Sequence, residues 1–178
     1  MINSFIKKIE AILKDLPLRT EISISFTNAN GTNFIGLKKE ESGIKYIDNK
    51  TIAFEIGSVT KAFTGNVFAK LATDRRIKLD DLIELFLPFK LLGNPPITFK
   101  HLALHTSGLP RMPIGYDDRV DFIKENPFSN YREEDFANYL TKDLVMESSP
   151  GEKANYSNLG FGLLSYIISL IENKEFSQ

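Results

Sequence analysis

A hydroxyl becomes a nucleophile only when a base can take its proton, so serines with a basic side chain one helical turn away are read first. Ser58-Val59-Thr60-Lys61 has that form. It follows the strand-like run AFEIG and opens a helical pattern. Ser58 thus falls at the positive end of a helix dipole, which favours an alkoxide or a nearby oxyanion. Lys61 lies about one turn further on and projects from the same side. A buried lysine there can lose its proton and act as the base. The spacing is not rare, because 13 Ser and 16 Lys in 178 residues give about one S-x-x-K by chance. The chain has three. Ser4 and Lys7 lie on an amphipathic helix, and Ser42 and Lys45 lie in a polar turn. Only Ser58 and Lys61 stand at a strand-to-helix junction between apolar segments. From these residues alone, a catalytic pair and an ordinary helix start both stand.

Tyr156-Ser157-Asn158 is the second candidate, set between a Pro-Gly turn and an apolar helix. A phenol can relay a proton, and an amide can donate to a substrate carbonyl while accepting from a lysine. The competing reading is an Asn helix cap beside a packing Tyr. His101 and His105 have the i, i+4 spacing of a zinc helix, but residue 102 is Leu where such a site needs Glu. The expectation is therefore no metal, with His105 hydrogen-bonded to backbone in the turn His105-Thr106-Ser107-Gly108. The acidic run Glu133-Glu134-Asp135 reads as a solvated helix start. No Gly-rich phosphate loop precedes Lys61, and no cofactor is expected.

Composition excludes other classes. Hydrophobic residues are 42% and charged residues 25%, the balance of a folded globular chain. The net charge of −1 gives no basic footprint for nucleic acid. With no cysteine there are no disulfides, thiolate metal sites or Cys nucleophile. The apolar stretch from Leu159 to Ile171, broken by Ser165 and Ser169, falls short of the ~18–20 residues of a membrane span. Lys7, Lys8 and Glu10 interrupt what would be a signal-peptide core, so a cytoplasmic location is expected.

These groups need elements to hold them. Ile2, Phe5, Ile6, Ile9, Ile12, Leu13 and Leu16 predict an amphipathic helix over 2–16, ended by Pro17. Ile22, Ile24 and Phe26 alternate with Ser23, Ser25 and Thr27, predicting a half-buried strand. Asn30-Gly31 predicts a hairpin turn, with a returning strand over 33–38 and a third over 43–47. A short run covers 52–56. A helix expected over 59–74 carries Phe63, Val67 and Leu71 on one apolar face. A short helix follows over 80–86. Thr98 is expected to cap a helix through Leu104, with Gly108 as its terminating residue. Residues 109–131 read as a long surface loop, followed by helices over 133–141 and 159–172. The order is helix, hairpin, then many helices, which argues against a doubly wound parallel sheet. So few strands leave a sheet edge open, where a strand-pairing partner or a dimer could form.

Taken together, the stretches FEIGSVTKAFTG (54–65), IKLDDLIELFLP (77–88), ITFKHLALHTSGLP (97–110) and PGEKANYSNLGFGLLSYIISLIE (150–172) resemble, in order, the class C β-lactamase and D-alanyl-D-alanine carboxypeptidase family of penicillin-recognising serine hydrolases. The resemblance implies an α+β fold, an antiparallel sheet packed with a mostly helical region, as one β-lactamase-like domain over 1–178. It implies Ser58 as the acylated nucleophile and Lys61 as the group that helps deprotonate it. Tyr156 would share base and acid duty, and Asn158 would hold the substrate amide and orient Lys61. The Ser58 N–H would supply one half of an oxyanion hole.

One part of the family pattern is missing. No Lys, Arg or His stands two residues before any of the 11 glycines, so neither K-[TS]-G nor H-x-G occurs. The resemblance therefore implies the N-terminal portion of such an enzyme, weakly active or inactive by itself, toward β-lactams, D-Ala peptides or esters. A second reading is a non-catalytic β-lactamase-like fragment that binds a partner or serves as half of a split protein. A third is a helical interaction module with a chance motif.

Overall fold

A computed structural model of the chain describes residues 2–175, apart from the Ile2 side chain. It divides into two compact units, Met1–Glu55 and Ile56–Gln178.

The first unit opens with helix α1 (Ile2–Asp15). Ile6 and Leu13, two turns apart, are its buried residues, while Phe5 and Ile12 of the expected apolar face remain exposed. The Phe5 ring meets Phe26 edge-on at 5.6 Å. Strands β1 (Glu21–Asn28), β2 (Gly31–Glu40) and β3 (Gly43–Ile47) form an antiparallel sheet in that order. On β1, Ile22, Ile24 and Phe26 are half-buried and the residues between them exposed, as the alternation demands. The hairpin closes one residue earlier than Asn30-Gly31. Asn28 pairs with Gly31, and the Asn28 carboxamide oxygen accepts the Asn30 N–H at 2.8 Å. That side-chain-closed turn uses Ala29 and Asn30 and leaves the positive φ of 123° to Gly31. Gly36 is needed for a different reason: a Cβ there would lie 2.3 Å from the Ile47 carbonyl. The run 52–56 joins no strand among the described residues, and Ile52, Phe54 and Ile56 are exposed.

The second unit is helical. A 3-10 turn (Gly57–Val59) leads into α2 (Thr60–Thr73). A short 3-10 helix (Ile83–Phe86), α3 (Phe99–Ala103), a 3-10 turn (Tyr116–Asp118), α4 (Glu133–Asn138), a π turn (Tyr139–Asp143) and α5 (Asn158–Glu172) follow. Its core gathers Phe99 and Leu102 of α3, Leu163, Leu164 and Ile167 of α5, and Leu140, all fully buried. Burying one such side chain contributes about 1.5–3 kcal/mol. The face of α2 differs from the expectation: Thr64, Phe68 and Leu71 are buried, while Phe63 and Val67 are exposed. The two apolar stripes are offset by one residue, and Phe68 rather than Phe63 meets the Phe99 ring, at 6.0 Å. Helix α3 begins as expected, with the Thr98 hydroxyl accepting the His101 N–H and the His101 Nδ1 accepting the Thr98 N–H. It ends where expected, with Leu104 as its C-cap, but the left-handed residue that follows is His105, with φ 57°, rather than Gly108.

The 109–131 segment is not simply a surface loop. Tyr116 is buried and packs against Phe122, Phe128 and Tyr131, with ring centroids within 6.0 Å. The Arg119 guanidinium sits over the Tyr131 ring at 4.9 Å. The Tyr131 hydroxyl is buried without a hydrogen-bond partner among the described residues, and burial pushes its phenol up to about 12. In the unfolded chain that phenol ionises near 10. Between these values the folded state holds a proton that the unfolded state has lost, so stability falls as pH rises. In Tyr131→Phe this alkaline loss should shrink. Near pH 8 the variant should match or slightly exceed the parent, since the removed hydroxyl has no partner. Urea midpoints at pH 8 and pH 11.5 check both expectations.

Candidate active site

Residues from three stretches of the second unit meet here, 57–61, 105–112 and 155–161. Gly57, with φ 52°, turns the chain into the 3-10 turn and sets Ser58 at the entry to α2. Lys61 follows in the first turn of α2. Tyr156 and Asn158 flank the cap of α5. That cap is Ser157, not Asn158: its hydroxyl accepts the Gly160 N–H at 2.8 Å and donates to the Pro110 carbonyl at 2.7 Å. Asn158 is thereby freed from capping, and its side chain points to α2 instead.

The four expected site residues come together. Ser58 Oγ lies 2.7 Å from Tyr156 Oη, a hydrogen bond in which either oxygen can donate. Lys61 Nζ donates to Asn158 Oδ1 at 2.8 Å and, at the longer distance of 3.4 Å, to Ser58 Oγ. The Lys61 ammonium also stands 5.0 Å from the centre of the Tyr156 ring and 5.7 Å from that of Phe161. Asn158 Nδ2 faces Met112 Sδ at 3.6 Å. Ser58 is open to solvent, whereas Lys61, Tyr156 and Asn158 are partly buried.

The electrostatics favour ionisation of the phenol. Lys61, first, and the hydrogen bond with Ser58, second, hold Tyr156 below the usual tyrosine range, with burial acting the other way. Arg111 adds to this, its guanidinium 5.1 Å from the ring centre. A serine hydroxyl bonded to a phenol that ionises easily, with an ammonium within reach of both, has a path for its proton.

Arg111 carries no signal of a site role in the sequence, and His105 is expected there only to bond backbone in its own turn. Its Nδ1 in fact accepts the N–H of Ser157, 52 residues away. Neither partnership leaves a local pattern, because both depend on how the 105–111 segment meets the 155–158 segment. His101 is occupied at the cap of α3, and among the described residues no three His, Cys, Asp or Glu gather as metal ligands would. A separate cavity of about 390 Å³ lies between α2 and α5, lined by Phe63, Val67, Leu71 and Ile168 and by none of the four site residues. No helix among the described residues is long and apolar enough to cross a membrane.

Residues 33–178 match the family described as Beta-lactamase. The chain belongs to that family. It is 32% identical over 148 residues to Protein flp of Staphylococcus aureus, an alignment covering 76% of this chain and 28% of flp. It is 33% identical over 128 residues to the D-alanyl-D-alanine-carboxypeptidase/endopeptidase AmpH of Escherichia coli, covering 69% of this chain and 31% of AmpH. Among solved structures, the octameric penicillin-binding protein homologue from Pyrococcus abyssi superposes with a TM-score of 0.63 at 28% identity, covering 98% of this chain and 39% of that one. The fold is thus that of the β-lactamase and transpeptidase group, α+β with an antiparallel sheet and helices. The chain spans under a third of the length of these two curated relatives.

Proposed function

We propose that this chain carries the acylating half of a serine hydrolase, with Ser58 as nucleophile and a β-lactam, a D-Ala peptide or a related ester or amide as substrate. The observation that carries the reading is the 2.7 Å contact between the Ser58 hydroxyl and the Tyr156 phenol, with Lys61 bonded to Asn158 beside them. In this reading Tyr156 starts as the phenolate, held so by the Lys61 ammonium, and its oxygen takes the Ser58 O–H proton as Oγ forms a bond to the substrate carbonyl carbon. The carbonyl–nitrogen or carbonyl–oxygen bond of the substrate then breaks, and the leaving atom takes the proton from Tyr156. Asn158 Nδ2 donates to the substrate amide, and the Ser58 N–H gives one oxyanion contact.

The second oxyanion donor belongs to the K-[TS]-G or H-x-G strand, which the 178 residues do not contain. Losing one such donor costs about 10²–10³ in turnover, and losing the positioning strand costs more. The expected result is slow, stoichiometric acylation with little or no turnover. The test is peptide mapping by mass spectrometry after incubation with a penicillin and, separately, a fluorophosphonate. The adduct should sit on Ser58 and vanish in Ser58→Ala. Absence of any adduct from both probes would sink the reading and favour a non-catalytic family member. Sustained β-lactam or ester turnover, lost in Ser58→Ala, would overturn the low-turnover part alone.

A further inference from the structure

Tyr156 is held from both sides by one residue. The N–H of Asn155 donates to the His105 carbonyl at 2.8 Å, and the N–H of Ser157 donates to the His105 imidazole Nδ1 at 3.1 Å. The backbone is thereby pinned immediately before and immediately after Tyr156. The His105 ring also lies against the Tyr156 ring at 4.6 Å and against Phe161 at 4.8 Å. Residue 105 manages this only in the left-handed conformation, φ 57°, a conformation open to few residues besides Gly, Asn, Asp and His.

We infer that His105 is a positioning residue for the hydrolytic site, a clamp whose unprotonated Nδ1 seats Tyr156 and the start of α5 against Ser58 and Lys61. A backbone N–H can only donate, so Nδ1 must present a lone pair. Protonation of the imidazole would turn two donors toward each other and open the clamp. The groups that face the imidazole are the Lys61 ammonium from α2 and the Tyr156 phenol from the 155–157 segment. Burial, first, and the charge of Lys61, second, hold His105 below the usual histidine range, so the clamp is closed at neutral pH. Acidification should therefore disable the site through His105 before the fold as a whole gives way.

The inference rests on the proposed role of Ser58, but its test need not fail with it. In the full chain, acylation of Ser58 by a penicillin is followed from pH 4.5 to 9, with Ser157 amide and His105 ring-nitrogen NMR signals recorded over the same range. His105→Phe keeps a ring and loses the acceptor; His105→Asn keeps an acceptor and tolerates the positive φ. Acylation by His105→Phe should be about 10–100-fold slower at pH 7.5, as expected for a displaced reacting group. His105→Asn should recover most of the rate and lose the extra steepening below pH 6.5 that His105 protonation adds to the fall set by the Tyr156 phenol.

In the parent chain, the Ser157 amide should shift with the same midpoint as the ring nitrogen. If no probe acylates Ser58, the proposed hydrolase function fails, and the NMR titration alone decides the clamp. A Ser157 amide indifferent to His105 protonation would overturn the inference. So would a His105→Phe chain that acylates at the parent rate, or a His105→Asn chain that keeps the extra steepening below pH 6.5. A His105→Phe chain that does not fold leaves the decision to His105→Asn and the titration.

Discussion

Lys61→Met should slow acylation of Ser58 by about 10²–10⁴-fold, the range for loss of a general acid–base group. Two effects combine. The ammonium is the leading influence holding the Tyr156 phenol below its ordinary range, so its removal returns the phenol toward 10. Asn158 Oδ1 also loses its 2.8 Å donor, and the amide is free to turn toward Met112 or solvent. The pH profile separates this from a packing effect. If the Tyr156 phenolate is the base, the rate rises with pH through the phenol's ionisation. That rising limb lies below pH 10 in the parent and moves to higher pH in Lys61→Met. Acylation kinetics by mass spectrometry, from pH 6 to 10.5, give both the size and the displacement. An unchanged rate would remove Lys61 from the proton path.

Gly108→Ala should lower the unfolding midpoint by about 10 °C or more, the effect of a loss of some 4 kcal/mol in a chain of this size. Gly108 combines φ 76° with a Cβ position only 2.1 Å from the Ser148 carbonyl oxygen. That atom is backbone, so no rotamer change relieves the clash. The Gly108 carbonyl also accepts the Glu147 N–H at 2.8 Å, so moving either segment breaks this bond. Gly115→Ala is the control. It has a similar φ of 72° but meets only the Asp118 carboxylate, at 3.8 Å. Conformational strain alone, about 1 kcal/mol, should cost it only a few degrees. Thermal unfolding followed by circular dichroism compares the two, and equal losses would refute the steric account.

The elements were legible where a local rule sets them. The period-two run of β1, the Thr98 cap and the apolar helix after residue 158 each carry their cause within a few residues. The α2 face was misread because two apolar stripes run along it, Phe63 with Val67 and Phe68 with Leu71, and only tertiary packing selects the second. The hairpin slipped by one residue because an Asn28 side-chain bond outcompeted the Asn30-Gly31 preference. At the site, Ser58 with Lys61 was visible from spacing within one turn. The convergence of Tyr156 and Asn158 upon them was implied only by family resemblance, since nothing local links positions so far apart. His105 and Arg111 stayed hidden for the same reason. Residue 105 contributes through a ring nitrogen and a carbonyl, and residue 111 through a carbonyl that accepts the N–H groups of Asn158 and Leu159 at 3.0 and 3.2 Å.

The contact between Ser58 and Tyr156 bridges 98 positions of the chain. Helical turns form within microseconds, but meetings between remote stretches wait until the intervening polypeptide has surrendered its freedom. Until then Ser58 is an ordinary alcohol at the end of a nascent helix, no more acidic than any other serine. With Ser58 as the proposed nucleophile, its activation is thus a late product of folding, and a chain still emerging from the ribosome carries it in dormant form.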